Sequence, residues 1–542
     1  MNYSVVIGVD FGTSNTVVSI YINNGVEVLS FNGNDSFPTV VSYDYYGTPI
    51  VGYDADSRSQ YGNTVRSMKP LFGKRYRDTS KRDPCAQLIS NLTYNIDNDY
   101  CYSITVNGGT IKKELVDVTT DVFQYIVDRV MEHCTKYVFL PSEVYVSVGT
   151  PADFSLQMQE IVYTAIQRVK LGNDDNADNH IWRQNICILS EPVAAAYCYH
   201  GFEDKSMSEF IIFDFGAGTL DLSLVRMTNN DGCTYTVVKK EGDNNLGGNN
   251  IDVIVYKMVL EEVEREARTS VELSDSSREV LLKRCRRAKE ELNLSCVDSV
   301  KVDLRGINEL ERLSDLSGSS ESRQFPNCLS VEISFNDFSE AIKDVKDKAR
   351  FLVEDMLKCV GSEYVSLIPV GGSSKLRGLF DGYDRRICVR NWVDSTKAVS
   401  VGVACIGAIN FNKVGNKSIS YGGTSANPVK KELDPGNVHD VLFRPIRLSF
   451  DYGELIIAEG TPYGEFAVVS IPTAYFDGSD FCVEVTQEKE NGIDNLGRYI
   501  CESPSDVLGA TATLKAWVNK RSELEIELHS SAGVVTLEKE TL

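Results

Sequence analysis

Two stretches of this 542-residue chain repeat one pattern, and that repeat narrows the possible folds more than any other feature. The first reads Val5-Val6-Ile7-Gly8-Val9-Asp10-Phe11-Gly12-Thr13-Ser14, followed by the β-branched run Thr16-Val17-Val18-Ser19-Ile20. The second reads Phe210-Ile211-Ile212-Phe213-Asp214-Phe215-Gly216-Ala217-Gly218-Thr219, followed by Leu220-Asp221-Leu222-Ser223-Leu224-Val225. Each predicts an apolar strand, an Asp-Phe-Gly turn and a second strand. The copies are too far apart for a solenoid and point to two similar halves of one large domain. At this length more than one hydrophobic core is required in any case.

A phosphate chain needs backbone N–H groups that approach closely, which glycine permits, and a carboxylate to hold its magnesium ion. Both turns offer these parts, with threonine hydroxyls added. Neither is a Walker loop, since G-x-x-x-x-G-K-[ST] is absent, and neither is a dinucleotide fingerprint, because a strand follows where a helix should. Protein kinases also use Asp-Phe-Gly, but the chain has no H-R-D catalytic loop. One such turn alone reads as a plain hairpin. Two of them, with Gly371-Gly372-Ser373-Ser374 closing a later strand from Tyr364 to Val370, point to phosphate binding.

Between the turns, helix signals recur. Ser190-Glu191-Pro192 ahead of Val193-Ala194-Ala195-Ala196 is a helix start, with proline in the first turn where its missing N–H costs nothing. From Arg278 to Leu292 the stripe Leu281, Cys285, Ala288, Leu292 predicts an amphipathic helix. Another is predicted from about Asp337 to Val360, with Phe338, Ile342, Val345, Ala349, Leu352 and Met356 inward and Gly361 as its C-cap. Residues 412–437, rich in Asn, Gly, Ser, Lys and Pro, read as a linker. Beyond it Leu524, Ile526 and Leu528 alternate with Glu523, Glu525 and Glu527, the mark of a half-buried strand. The expected division is therefore 1–411, a linker over 412–437, and a small β-sandwich over 438–542.

Charge and cysteine usage exclude several function classes. A net charge of −22, from 77 acidic and 55 basic residues, argues against direct wrapping of nucleic acid, which needs clustered Lys and Arg. The basic stretches Lys69 to Arg82 and Lys283 to Lys289 read as solvated faces or small-anion sites. The 14 cysteines show no C-x-x-C pair and the 5 histidines no H-E-x-x-H, so thiols in a reducing compartment are expected rather than a zinc site. No apolar run approaches a membrane span, and SVVIGV leads into a Gly-rich turn rather than a cleavage site. Neither a transmembrane segment nor a signal peptide is expected.

The stretches VIGVDFGTSNTVVSI, SMKPLFGKRY, SVGTPADF, LSEPVAAAY, FIIFDFGAGTLDLSLV, GDNNLGGNNID, CRRAKEEL and PVGGSSKL occur in the order found in the heat-shock protein 70 family, which the chain resembles over roughly residues 3 to 410. The tail resembles that family's peptide-binding sandwich more faintly, best in DNLGRYICE and in the final strands. The resemblance implies an α/β, actin-like ATPase fold, two similar βα lobes with ATP in the cleft, followed by an all-β sandwich without the family's helical lid. It implies ATP or ADP with Mg²⁺ as cofactors and Mg-dependent ATP hydrolysis by positioning and charge neutralisation. Asp10 and Asp214 match the magnesium carboxylates, which act largely through water. Lys69 matches the lysine on the γ-phosphate and the attacking water, and Glu191 the second carboxylate near that water. Thr13 and Thr219 match hydroxyls on the phosphate chain. The remaining cofactor set implied is Gly12, Ser14, Asn15, Gly216, Ala217, Gly218, Gly247, Gly248, Arg286, Lys289, Glu290, Asn293, Gly371, Gly372, Ser373 and Lys375.

The chain also departs from the family. Ala217 replaces a glycine, at a cost of about 1 kcal/mol if its φ must be positive. Arg286 stands where a carboxylate usually accepts ribose hydroxyls, and an arginine has no acceptor to offer. Thr396 stands where Asp is common, and the joint NPVKKELDPGNVHDVLF replaces a short run of leucines. With these departures the chain resembles the heat-shock protein 70 homologues encoded by closteroviruses, a plant-virus family. That resemblance implies virion-tail assembly and cell-to-cell movement. The partners implied are viral coat and other virion-tail proteins and host cytoskeletal or plasmodesmal proteins, with nucleic acid met only indirectly. The places implied are host cytoplasm, plasmodesmata and the virion tail. Two other readings are kept: a folding chaperone that binds extended apolar peptides by strand addition, and a structural protein that retains the fold without hydrolysing ATP.

Overall fold

The structure, a computed structural model, describes residues 3–58, 63–74, 92–95, 99–137, 139–152, 154–172, 180–199, 208–229, 233–243, 246–311, 329–391, 393–413, 418–421, 429–432, 445–451, 453–458, 461, 464–472, 480–489, 492–501, 511–519, 523–530 and 533–540. They fall in two compact units. The first comprises Met1–Glu209, Val225–Val238 and Trp392–Leu542, and the second Phe210–Leu224 and Lys239–Asn391.

The first unit is built on one sheet, in the order Ile186–Ser190, Val144–Thr150, Val5–Phe11, Asn15–Ile22, Gly25–Val28. The Val5–Phe11 strand runs parallel to Val144–Thr150 and antiparallel to Asn15–Ile22, with Phe11 opposite Thr16 where the Asp-Phe-Gly turn closes. Its apolar run from Val5 to Val9 is unbroken because both faces are covered. Val5, Ile7, Val9 and Phe11 pack in a core with residues of the helices Leu115–His133 and Leu156–Gln167. On the other face lies the mostly apolar helix Ala398–Asn410, so close that a Cβ on Gly8 would meet Ala404 at 2.6 Å.

The second sheet repeats this order: Ile387–Val389, Val365–Val370, Glu209–Phe215, Leu220–Asn229, Cys233–Asp243. Again the Asp-bearing strand has a parallel neighbour on one side, with Asp214 opposite Val370, and its hairpin partner on the other. The internal sequence echo is thus an echo of topology. The stripe Leu281, Cys285, Ala288, Leu292 is buried as predicted, on a helix Asp275–Leu292 capped by the Ser274 hydroxyl, which accepts from Ser277 N. The single helix expected over 337–360 is instead two, Phe335–Ala341 and Lys343–Leu357, broken at Ile342. Val353 rather than Leu352 is fully buried, and the second helix ends with Lys358 as its C-cap, short of Gly361.

Part of the segment expected to be a linker is sheet. Ser418–Tyr421 pairs with Val429–Glu432, and the hairpin extends the first unit's sheet beside Gly25. Apart from Asn412 and Lys413, the rest of that segment, and most of NPVKKELDPGNVHDVLF, lie outside the described residues. The C-terminal strands form two antiparallel sheets. One runs Gly453–Ile457, Ile446–Phe450, Phe481–Lys489, Gly492–Cys501, Glu538–Lys539, and the other Ala467–Pro472, Thr511–Val518, Leu524–Ser530, Gly533–Thr536. They share one core in which Val483, Val485, Leu514, Ile526 and Leu528 are buried.

These sheets are held to the rest of the first unit. Leu156 packs on their core and donates its N–H to the buried Gln487 side chain at 3.0 Å. Arg183 donates Nε to Glu523 at 2.6 Å and its two terminal nitrogens to Glu160 at 3.0 and 2.9 Å, stacked over Tyr163. A planar guanidinium in this bidentate setting is worth more than an exposed pair. Arg183→Ala is therefore expected to raise hydrogen exchange severalfold in Gly492–Cys501 and Leu524–Ser530, leaving Val5–Phe11 protected. Equal protection in the variant and the parent would show that Arg183 holds nothing.

Candidate functional site

In the first unit the turn after Val5–Phe11 is tight. Gly12 N donates to Asp10 O at 3.2 Å, and a Cβ on Gly12 would fall 2.2 Å from Asn15 O, so only glycine fits. Thr13, Ser14 and Asn15 follow on this turn, partly or fully open to solvent. Lys69 comes from elsewhere. Ser67 takes a left-handed φ of 51°, a conformation costly for a non-glycine residue, and Lys69 opens a 3₁₀ turn, Lys69–Leu71, anchored by buried Met68, Leu71 and Phe72. Its ammonium donates to Glu191 Oε1 at 2.7 Å and lies 5.7 Å from the Phe154 ring. Glu191 opens the helix Glu191–Tyr199, every residue of which is buried. The two side chains of the pair are only 9% and 10% exposed.

Asp10 stands beside this pair. Burial, then the Glu191 carboxylate, pushes its carboxyl up to about 7, with Lys69 acting the other way. The first unit therefore gathers two carboxylates against one ammonium. With Asp10 ionised, that excess of negative charge is a place where a magnesium ion fits. Among the described residues no three carboxylate, imidazole or thiol side chains converge as a metal cage. A magnesium ion here would draw most of its ligands from water and phosphate, as this ion commonly does.

The second unit assembles two pieces around its own Asp-Phe-Gly turn. Gly216 N donates to Thr219 O at 3.0 Å, closing the turn. The helix Gly248–Ala267 begins against it, with Gly248 N on Gly216 O at 3.0 Å and Asn249 N on Ala217 O at 2.7 Å. A Cβ on Gly247 would fall 2.4 Å from the Gly218 carbonyl carbon, and one on Gly248 2.6 Å from Ser373 Oγ. The turn after Val365–Val370 adds Gly371 at φ 80°, where a Cβ would lie 2.5 Å from Phe215 O and 2.9 Å from Asp214 Oδ1. Ser373 Oγ donates to Gly216 O at 2.8 Å. Gly371 thus leaves a cradle around the Asp214 carboxylate that any side chain would fill.

Several predicted residues take roles the sequence did not suggest. Ala217 does not have a positive φ, so the expected strain is absent, and Gly218 and Gly372 have nothing within 4 Å of an added Cβ. Thr219 Oγ1 donates to Asp221 at 2.7 Å. Arg286, half-exposed, donates Nε to Asp252 Oδ2 and a terminal nitrogen to Asn249 Oδ1, both at 2.9 Å. Lys289 donates to Gly248 O at 3.1 Å and lies 2.6 Å from Asp252 Oδ1. Asn293 accepts from Arg377 N at 3.1 Å, and Glu290 and Lys375 are exposed. In the first unit Thr396 donates to Asp394 Oδ1 through both its N–H and its hydroxyl. Asp252, 3% exposed and paired with two cations, was missed in the sequence. Its one signal there is its place in GDNNLGGNNID.

A family model described as Hsp70 protein matches residues 6–417. The chain is 24% identical over 409 residues to "Chaperone protein dnaK" of Guillardia theta, covering 74% of this chain and 59% of that protein. It is 24% identical over 450 residues to "Chaperone protein dnaK3" of Synechocystis, covering 80% and 53%. It is 26% identical over 422 residues to "Heat shock 70 kDa protein BIP3" of Oryza sativa subsp. japonica, covering 76% and 58%. The matched regions thus cover little more than half the length of each of these relatives.

Proposed function

The chain belongs to the Hsp70 family, and from that premise we propose that it is an ATP-binding, ATP-hydrolysing chaperone whose C-terminal sheets take extended apolar segments of other proteins. The observation that carries the reading is the buried Lys69–Glu191 pair beside Asp10, on a strand–turn–strand whose twin bears Asp214. By resemblance to the family, Asp10 of the first unit and Asp214 of the second would each serve as a magnesium carboxylate, and the ion when bound supplies charge neutralisation at the phosphate oxygens. The chain's own residues do the rest. The glycine turns let backbone N–H groups approach the phosphates, Lys69 meets charge on the terminal phosphoryl group, and Glu191 fixes Lys69 in place and accepts a hydrogen bond from the attacking water. Phosphate release from the purified full chain tests it. Turnover that needs Mg²⁺ and stops with EDTA is expected, and no release above a heat-killed control would count against it.

The raised Asp10 carboxyl gives this reading a pH signature. Below about 7 the unliganded protein keeps a proton there. Because the folded value lies above the unfolded one, this group's contribution to stability is complete below about 4 and is lost as pH rises towards 7. Mg·ATP binding needs the carboxylate, so affinity should tighten between about pH 6 and 8 with release of a proton. Calorimetry in buffers of different ionisation enthalpy measures that proton, and its absence would place Asp10 outside the binding site.

Base and ribose selection should be relaxed, because Arg286 offers only donors and both oxygens of Asp252 already face cations. ATP and GTP should bind within about a hundredfold of each other, about 2.7 kcal/mol. A larger preference for ATP would show a better-formed pocket.

A narrower reading is that the chain serves a plant closterovirus in virion-tail assembly and cell-to-cell movement, with coat proteins as partners. What motivates it is the sequence alone: Arg286 in place of a carboxylate, and the joint NPVKKELDPGNVHDVLF in place of a run of leucines. Co-sedimentation with virions tests it. A chain lacking 438–542 should bind nucleotide but no longer sediment with particles.

A further inference from the structure

Two cations beside the first turn of the helix Gly248–Ala267 are held by one buried carboxylate. Asp252 sits in the second turn of the helix Gly248–Ala267, and Lys289 and Arg286 stand one turn apart on Asp275–Leu292. The Asp252 carboxylate lies 2.6 Å from Lys289 Nζ through one oxygen and accepts from Arg286 Nε at 2.9 Å through the other. Lys289 also donates to Gly248 O, and Arg286 to Asn249 Oδ1. Gly248 and Asn249 are the two residues whose N–H groups hold Gly216 and Ala217. Asp252 therefore acts at one remove on the turn. It clips one helix to the first turn of the other, and that first turn is hydrogen-bonded to the glycine loop.

We propose that Asp252 is a positioning residue for nucleotide binding: it fixes Lys289 and Arg286 so that the Gly247–Asn249 backbone stays locked against the Gly216–Gly218 turn. The charge count supports this assignment. Two cations against one carboxylate leave the cluster net positive at the mouth of a helix N-terminus, a setting that favours phosphate oxygens. Unheld, both cations would fold back onto water, and the first helical turn would lose its tie to Asp275–Leu292. The role is one of placement, since neither Asp252 oxygen is free to meet a nucleotide.

The inference rests on the proposed nucleotide function, but one arm of its test does not. Asp252→Asn keeps the shape and removes the charge. In the full chain without nucleotide, it should raise hydrogen exchange at the Gly248 and Asn249 amides at least tenfold, while the Val255–Val263 amides of the same helix stay protected. With ATP, the Kd and KM should rise about tenfold, and kcat at saturation should fall by much less. Asp252→Glu should recover part of the affinity. Unchanged exchange at Gly248 and Asn249 would overturn the proposal. So would a loss of kcat with KM unmoved, or a fall in thermal stability with both kinetic constants unmoved. If the parent chain binds no ATP while the exchange result holds, the nucleotide reading fails and the clip stands.

Discussion

Replacing Lys69 with alanine is expected to lower ATP turnover by a factor of about 10² to 10³, the usual size for one preorganised group aimed at developing charge. The substitution also touches folding. It leaves the Glu191 carboxylate, 10% exposed on its side chain, without its cation and next to Asp10. Breaking a buried pair from one side costs about 3 kcal/mol, so the single variant should melt earlier than the parent. A second variant separates the two effects. Lys69→Ala with Glu191→Gln removes the stranded charge and should regain most of the lost stability, yet turnover should stay low. Single-turnover rates equal to the parent in either variant would remove Lys69 from the site.

Gly402→Ala is expected to be among the most damaging single changes outside the turns. Gly402 lies in the helix Ala398–Asn410, which packs on Glu191–Tyr199, and an added Cβ would fall 2.0 Å from Ala194 O. The obstacle is backbone, so no rotamer change relieves it, and the two helices must part. Overpacking of this kind costs about 3 kcal/mol. It also shifts the helix that begins with Glu191, so turnover should fall as well. Gly218→Ala is the contrast, because nothing lies within 4 Å of its added Cβ. Its effect on stability should stay within about 0.5 kcal/mol. Urea midpoints for the two variants make the comparison, and equal midpoints would show that the helix contact is looser than described.

The sequence made the two Asp-Phe-Gly hairpins legible, because a two-residue period and a glycine turn are local signals. The stripe of Leu281, Cys285, Ala288 and Leu292 was legible for the same reason, and all four are buried. The break at Ile342 was not, since the apolar stripe runs straight through it and no glycine or proline marks it. The hairpin of Ser418–Tyr421 and Val429–Glu432 was hidden because its place depends on the edge beside Gly25, almost four hundred positions earlier. Asp252 was illegible for a related reason. Its partners Arg286 and Lys289 lie on another helix, and an acidic residue in a helix ordinarily faces water. Local chemistry could be read from the chain, whereas ties between distant segments could not.

Calorimetric titration of the full chain with Mg·ATP tests the central claim most directly. One nucleotide per chain is expected. Binding should weaken at least tenfold on Asp10→Asn in the first unit and on Gly371→Ala in the second, where the added Cβ would crowd Asp214. No heat at millimolar Mg·ATP, or binding that neither substitution changes, would contradict it.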